Sequence, residues 1–232
     1  MNQLKHLLKF PSNDTTSFLT WESKLCKSIN NMLKPFAARE HEKMKEVLMH
    51  PDAQGPEIHY YMIRGGDKKT NVTVWETGTV GGEYIKTYGH YHVGHLDETY
   101  NIAEGEGIVL LQKRKGGTEG NPMDDEIELF YAITVKAGDR VFIPSGMGHL
   151  VANVGKTWFV TFDDSPVNME EKDPVSLPGH ADYEAVKKMR GFAYYVVEEN
   201  GKPTLVKNPN YKVVPEAQWF TPSEYAEKIK TS

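Results

Sequence analysis

The sequence is poor in cysteine, in long apolar runs and in basic charge. Cys26 is the only cysteine among 232 residues, which excludes an internal disulfide and a thiolate metal cluster. No segment approaches the 18 or so apolar residues of a membrane span, and Met1–Lys24 has no apolar core of signal-peptide length. The formal charge is −5, with lysine and arginine scattered along the chain. We therefore expect a cytoplasmic globular protein that binds neither nucleic acid nor membranes.

The pattern of apolar residues divides the chain into three segments. Residues 1–55 carry apolar side chains at roughly helical spacing, including the run AAREHEKMKEVLMHP, and predict an N-terminal helical extension. Residues 56–212 contain short runs rich in β-branched and aromatic residues, separated by Gly, Pro, Asn and Asp. Residues 213–232 include TPSE, a capping box that predicts a short C-terminal helix. The sequence therefore predicts a mainly β sandwich or barrel with helical additions.

Two turn signals subdivide the β region. Residues 116–126 (GGTEGNPMDDE) are polar and rich in glycine, so we expect a loop between strands. Asn200–Gly201 separates two β-type runs and predicts a hairpin. One short helix is expected between these features, beginning near Ala181.

Histidine is concentrated in the stretch TYGHYHVGHLDETY. Residues two apart on a strand face the same side, so His90 and His92 should project together as a pair of imidazole ligands. Glu98 has the same parity as Tyr100, which suits an interior face, whereas Asp97 has the opposite parity. We therefore expect the Glu98 carboxylate to face inward, and Asp97 to face away or to sit in the turn.

A further ligand is expected from the segment AGDRVFIPSGMGH. Its Gly-Asp turn, short apolar strand and proline-containing bend could return His149 to the sheet interior, opposite His90 and His92. Three imidazoles and one carboxylate leave room for water or substrate on iron, manganese or zinc, an arrangement that suits Lewis-acid catalysis. His95 is interpreted as a solvated turn residue with no part in the chemistry.

The two histidine-containing blocks resemble the motifs of the cupin superfamily. These blocks are GHYHVGHLDETYNIAEGEG and AGDRVFIPSGMGHLVAN, and they imply a double-stranded β-helix, the jelly-roll barrel of cupins, with one metal inside. Over roughly Pro56–Lys212 the sequence is similar to the cupin-type glucose-6-phosphate isomerases of archaea and some bacteria. The similarity includes the distal segments PGHADYEAVKKMRGF and VVEENGKPTLVKNPNYK. It implies interconversion of glucose 6-phosphate and fructose 6-phosphate, in glycolysis and gluconeogenesis, by a homodimer.

The resemblance also implies roles for individual residues. One divalent metal ion per subunit is implied, with Fe²⁺ ahead of Mn²⁺, Zn²⁺ or Ni²⁺. The implied metal ligands are His90, His92, Glu98 and His149. The implied substrate-binding residues are Thr73, Thr87, Gly89 and Tyr100. The implied catalytic residues are Glu98, His180 and Tyr183.

Several alternatives stay open at the level of sequence. The gap before Glu98 is one residue shorter than in the archaeal pattern, which keeps Asp97 as an alternative ligand. Either Tyr60 or Tyr61 could be the aromatic residue near the phosphate, and Lys86 could add positive charge there. The alternative functions are a cupin enzyme acting on another sugar or sugar phosphate, an iron-dependent dioxygenase, and a non-catalytic sugar-binding or storage cupin.

Overall fold

The computed structural model describes residues 37–63, 71–116, 122–165 and 181–230. Every described residue belongs to one compact unit, Pro35–Ser232. The described residues form sixteen strands and three short helices. The predicted division at residues 55 and 212 stays a prediction.

Two sheets contain most of the β structure. The first has six strands in the order β1 (Ala37–Glu40), β2 (Ile58–Ile63), β3 (Asn71–Trp75), β12 (Phe159–Asp163), β7 (Glu98–Glu104) and β10 (Arg140–Ile143). The second has four strands in the order β11 (Gly148–Asn153), β8 (Glu106–Arg114), β9 (Ile127–Lys136) and β16 (Gln218–Phe220). Neighbouring strands are antiparallel except β9 and β16. This mostly antiparallel pairing is typical of jelly rolls.

Smaller elements flank these sheets. A four-stranded sheet has the order β15 (Lys202–Lys207), β14 (Tyr194–Glu199), β5 (Glu83–Tyr84) and β4 (Thr79–Val80). A two-stranded sheet joins β6 (Tyr91–His92) to β13 (Ala181–Asp182). The helices are α1 (His41–Met44), α2 (Glu184–Lys188) and α3 (Pro222–Lys230). None of these described helices is long and apolar enough to cross a membrane.

The two larger sheets share one hydrophobic core. Trp75 and Phe159 of the six-stranded sheet belong to the same buried cluster as Leu110 and Ile133 of the four-stranded sheet. Burial of apolar surface between two sheet faces is the main stabilising contribution in such an architecture. The predicted mainly β cupin barrel is therefore confirmed.

The predicted hairpin and C-terminal helix are also confirmed. Asn200 and Gly201 connect β14 to β15 with φ angles of 53° and 75°, the positive values that a type I′ turn requires. The Thr221 hydroxyl accepts from Glu224 N at 3.3 Å, and the Glu224 carboxylate accepts from Thr221 N at 2.7 Å. This reciprocal pair is a capping box, which satisfies backbone donors at the start of α3.

The prediction of a helix over AAREHEKMKEVLMHP is wrong. Ala37–Glu40 forms β1, which pairs with β2, and α1 is a single turn. Strong helix formers are overridden here because pairing with a neighbouring strand and burial of Met44, Val47 and Leu48 in the core stabilise this arrangement. The rest of the predicted N-terminal helical extension, residues 1–36, lies outside the described residues.

His59, in β2, is fully buried and contacts His41. His41 Nε2 lies 3.1 Å from the Ala53 carbonyl oxygen, so that nitrogen carries a proton and donates it. His41 Nδ1 then accepts from His59 Nε2 at 2.9 Å. This leaves His59 Nδ1 unprotonated and without a hydrogen-bond partner in the described part of the chain. Burial, followed by the charges of the neighbouring His41 and Lys86, lowers the pKa of His59 to about 4.

The free energy of unfolding should fall by about 3 kcal/mol between pH 7 and pH 4 because of His59. The unfolded chain binds a proton on this imidazole near the ordinary pKa of 6.5, whereas the folded chain does so only near pH 4. The stabilising contribution of the neutral His59 is fully present above pH 6.5 and is lost as the pH falls from 6.5 to about 4. Urea unfolding across this range measures it, with His59→Gln as the control because its amide can still donate to His41. Equal pH dependence in both proteins would contradict the assignment.

Candidate metal centre

The four predicted metal ligands converge inside the barrel. The ligand nitrogens of His90, His92 and His149 lie within 4.8 Å of one another. Glu98 Oε2 lies 3.0 Å from His92 Nε2 and 3.2 Å from His149 Nε2. The three imidazole centroids are separated by 4.3 to 5.1 Å. Residues far apart in sequence therefore form one compact cluster.

Backbone pairing sets the positions of the histidines. His90 N donates to His149 O at 3.2 Å, and His149 N donates to His90 O at 3.0 Å. Two residues paired in this way lie directly opposite each other, with their side chains on the same face. His92 is two residues further along, so its side chain returns to that face.

Glu98, and not Asp97, faces the histidines. The Glu98 side chain is only 3% exposed, whereas Asp97 is exposed and its carboxylate accepts from Ser145 N at 2.8 Å. Burial by itself raises the pKa of Glu98, but the neighbouring His149 and the hydrogen bond from His92 outweigh burial and hold that pKa below its ordinary value. An ionised carboxylate beside three imidazoles is a suitable donor set for a divalent cation.

Two predicted substrate-binding residues share the interior face of the six-stranded sheet. The ring of Tyr100 meets that of His149 edge-on, with centroids 5.5 Å apart. Thr73 lies opposite Thr161, which in turn lies opposite Ile102. Because Ile102 has the parity of Tyr100, Thr73 faces the same interior. Contact of either residue with a substrate stays a prediction.

The turn before His90 contains the residues predicted to bind phosphate. Thr87 Oγ1 accepts from Val151 N at 3.0 Å. Gly89 has a φ of +82°, and a Cβ there would lie 2.8 Å from a ring carbon of Phe192. Glycine is therefore required at this position for backbone and packing reasons, whether or not a phosphate binds.

The prediction that Lys86 supplies charge for the phosphate is wrong. Its side chain is 2% exposed, and Nζ lies 2.8 Å from Glu83 Oε1. The same ammonium group donates to Val47 O at 2.7 Å and lies 5.3 Å from the centroid of Tyr195. Its charge is neutralised in the interior and is not directed towards a ligand.

The segment predicted to close over the substrate reaches the histidine cluster. Strand β13 pairs with β6, which brings residue 181 beside His92. The ring of Tyr183 lies 5.4 Å from that of His90 and 5.3 Å from that of Tyr88. His180 lies outside the described residues, so its predicted role stays a prediction.

Arg39 is a residue near the cluster that sequence reasoning missed. Its guanidinium carbon lies 5.6 Å from the centroid of Tyr183, and its Nε donates to the Tyr60 hydroxyl at 3.0 Å. Arg39 lies opposite Tyr60, which lies opposite the core residue Trp75, so all three share the interior face. Tyr60, rather than Tyr61, is therefore the tyrosine on the side of the site. The sequence carried no signal for this placement, because AARE shows no alternation of apolar and polar residues.

Gln112, a buried residue of β8, has a structural role. Gln112 Nε2 donates to the hydroxyls of Tyr91 and Tyr211 at 2.8 and 3.2 Å. Gln112 Oε1 accepts from Ala193 N at 2.9 Å. This buried amide therefore ties the distal hairpin region to β6, the strand that carries His92.

Comparison with known families decides the family of this chain. The family model described as Glucose-6-phosphate isomerase (GPI) matches residues 49–214. The chain belongs to the glucose-6-phosphate isomerase family. All four residues of the histidine and glutamate cluster lie within the matched segment, whereas Arg39 precedes it.

Individual relatives agree with this assignment. A protein named glucose-6-phosphate isomerase from Thermococcus gammatolerans is 32% identical over 151 residues, covering 65% of this chain and 68% of the relative. A protein of the same name from Pyrococcus furiosus is 31% identical over 149 residues, covering 63% and 66%. Each alignment thus spans about two thirds of both proteins. The cupin domain of Drosophila melanogaster CENP-C, with a TM-score of 0.34, 13% identity and coverage of 66% and 98%, is too distant to add to the family assignment.

Proposed function

We propose that this chain is a metal-dependent isomerase that interconverts glucose 6-phosphate and fructose 6-phosphate. The observation that carries the proposal is the convergence of three histidines and a glutamate inside the barrel of a glucose-6-phosphate isomerase family member. The shared name of the relatives supports the choice of substrate. A protein that only binds a sugar has no need of such a donor set.

The donor set fits a divalent first-row metal. His149 Nε2 is buried, and at 3.2 Å from Glu98 it lacks the geometry of a hydrogen bond. Its other ring nitrogen lies 3.5 Å from Met147 O and donates there, which leaves the Nε2 lone pair for a metal. We assign His90, His92, Glu98 and His149 as ligands of Fe²⁺, with Mn²⁺, Zn²⁺ or Ni²⁺ as alternatives. Such an ion acts as a Lewis acid that polarises substrate oxygens.

Glu98 has a different task in each of two routes that this arrangement supports. Isomerisation moves one hydrogen between C1 and C2 of the open-chain sugar. In the proton route, Glu98 removes a proton from one carbon and returns it to the other through a cis-enediol. In the hydride route, the hydrogen passes directly between the carbons, and Glu98 acts only as a ligand. Uptake of solvent deuterium at the product carbon distinguishes the routes, because only the first exchanges with water.

Tyr183 is our candidate for moving protons on the substrate oxygens. Its ring lies 5.4 Å from that of His90. A phenol can both donate and accept a hydrogen bond, as ring opening and proton exchange require. His180, three residues earlier, is the predicted partner of Tyr183 in this task.

Conversion of fructose 6-phosphate to glucose 6-phosphate, coupled to glucose-6-phosphate dehydrogenase, tests the proposal. We expect activity with Fe²⁺ or Mn²⁺, a loss of about 100-fold or more in EDTA, and recovery when metal is returned. Activity that EDTA leaves unchanged would exclude the metal centre. Inactivity with each of Fe²⁺, Mn²⁺, Zn²⁺ and Ni²⁺ would exclude this isomerisation and favour another sugar phosphate or a binding role.

The proposal also covers the location, the pathway and the oligomeric state of the protein. We propose a cytoplasmic homodimer that acts in glycolysis and gluconeogenesis. The name shared by the relatives supports the pathway. Light scattering of the purified protein measures the oligomeric state directly.

A further inference from the structure

Arg39 is a half-buried cation on the interior face of the barrel. Its guanidinium carbon lies 5.6 to 5.7 Å from the ring centroids of Tyr60, Tyr88 and Tyr183. None of the carboxylates in the described part of the chain forms an ion pair with it. A positive charge in an aromatic enclosure that no described carboxylate neutralises can bind an anion.

The hydroxyl of Tyr60 connects Arg39 to the turn that contains Thr87 and Gly89. This oxygen accepts from Arg39 Nε at 3.0 Å and from Tyr88 N at 3.3 Å. With two donors directed at its oxygen, the hydroxyl keeps its own proton for a third group. Arg39 and the O–H of Tyr60 therefore supply donors beside the predicted phosphate-binding turn.

The charges around Arg39 favour an anion. The nearby carboxylate of Glu46 accepts from the Tyr88 hydroxyl at 2.6 Å. Two lysines neutralise it, because Lys43 Nζ lies 2.7 Å away and Lys187 Nζ lies 3.4 Å away. Glu184 is the other carboxylate that acts on the Tyr88 hydroxyl. Arg39 and the two lysines outnumber these two carboxylates, so the region carries an excess of positive charge although the whole chain carries −5.

We propose that Arg39 binds the phosphate group of the substrate through its planar fork of N–H donors. The proposal rests on the isomerase function proposed above and adds a residue to it. Tyr183 lies between the two ends of the site, 5.4 Å from the ring of His90 and 5.6 Å from the guanidinium carbon of Arg39. A sugar lying along Tyr183 has its reacting carbons at the histidines and its phosphate at Arg39. Arg39 precedes residues 49–214, so the family match does not assign it.

A purely structural role for Arg39 makes a different prediction. If the guanidinium only holds the three tyrosines in place, its removal should weaken every ligand of the site equally. If it binds phosphate, its removal should weaken only ligands that carry a phosphate. Two matched probes separate these cases: arabinonic acid 5-phosphate and arabinonic acid, which share the polyol and the carboxylate and differ by the phosphate.

Calorimetric titration of both probes into wild type, Arg39→Ala and Arg39→Lys tests the proposal. In Arg39→Ala the phosphorylated acid should bind about 10- to 100-fold more weakly, and the unphosphorylated acid should bind within about twofold of wild type. Arg39→Lys keeps the charge but loses the fork, so its affinity for the phosphorylated acid should be intermediate. For fructose 6-phosphate, kcat/KM should fall by a similar factor, mainly through KM.

Arg140→Ala is the matched control, because Arg140 is an exposed arginine on β10, away from the tyrosines around Arg39. It should leave both affinities within about twofold of wild type. Equal weakening of both probes in Arg39→Ala, or weakening of neither, would overturn the proposal. If Arg39→Ala does not fold, Arg39→Lys decides on the same comparison. Inactivity of wild type on fructose 6-phosphate would reject the isomerase function, whereas the titrations would still report on Arg39.

Discussion

Replacing His149 with alanine should remove the metal and lower kcat/KM for fructose 6-phosphate by about 1,000-fold or more. The reason is that His149 is fully buried, lies opposite His90, and directs its Nε2 towards Glu98 without a hydrogen bond. Without His149, only three of the four proposed ligands remain, so the affinity for the metal should fall. Metal content per chain, measured by mass spectrometry, and steady-state kinetics should fall together.

His95→Ala is the control for this experiment. His95 is exposed and lies three residues after His92, so it tests whether removing any histidine of this stretch reduces metal content. It should keep one metal per chain and near-normal kcat/KM. Because His149 is buried in the core, its loss could also destabilise the fold, so the melting temperature of His149→Ala is measured as well. His90→Ala is a second test, since it removes a proposed ligand that is less buried. Full metal content and activity in both His149→Ala and His90→Ala would show that the centre lies elsewhere.

The arrangement of the four proposed metal ligands could largely be predicted, because most of it depends on short-range rules. Alternation along a strand was enough to place His90 and His92 on one side and to prefer Glu98 over Asp97. The turn and bend signals before His149 suggested that its side chain faces the sheet interior. Its position opposite His90 could not be predicted, because it depends on the pairing of two segments that are almost sixty residues apart in the sequence. Odd or even position along a strand predicts which face of the sheet a side chain occupies. Its neighbours on that face depend on the register between strands, which the sequence does not show.

Arg39 could not be found in this way because its placement depends on a distant strand. The residues around it have high helix propensity, and β1 exists because β2 offers a pairing edge. Propensity is a local and weak preference, whereas strand pairing and burial sum over many contacts. The same dependence on context explains why the sequence could not choose between Tyr60 and Tyr61. Both are tyrosines in one strand, and they differ only in the face of the sheet to which strand pairing directs each side chain.

Gly89 illustrates how a correct sequence observation can have a second cause. Its position next to His90 suggested close approach of a phosphate, and its positive φ and the ring of Phe192 require glycine in any case. A substitution at Gly89 would therefore disturb packing and the adjacent ligand together. Arg39 is the better place to test phosphate binding, because its hydrogen bond reaches that turn only through the Tyr60 hydroxyl and its replacement leaves the backbone of Gly89 unchanged.

Lys86→Met should lower the free energy of unfolding by about 3–5 kcal/mol. Lys86 and Glu83 are 2% and 0% exposed and lie 2.8 Å apart, so removing the ammonium group leaves a buried carboxylate without its counter-charge. Urea unfolding at neutral pH measures the loss, and Lys202→Met, which removes an exposed lysine, should change stability by less than about 0.5 kcal/mol.

The double variant Lys86→Met with Glu83→Leu shows whether the loss of stability comes from the unpaired charge or from a packing defect. Removing both charges should recover part of the lost stability, since the unpaired carboxylate is gone. Recovery should stay incomplete, because Glu83 Oε2 also accepts from Met49 N at 2.8 Å and Lys86 donates to Val47 O. Additive destabilisation in the double variant would mean that the two side chains act independently. Folded Lys86→Met should also bind arabinonic acid 5-phosphate as wild type does, since this lysine, unlike Arg39, directs its charge into the protein.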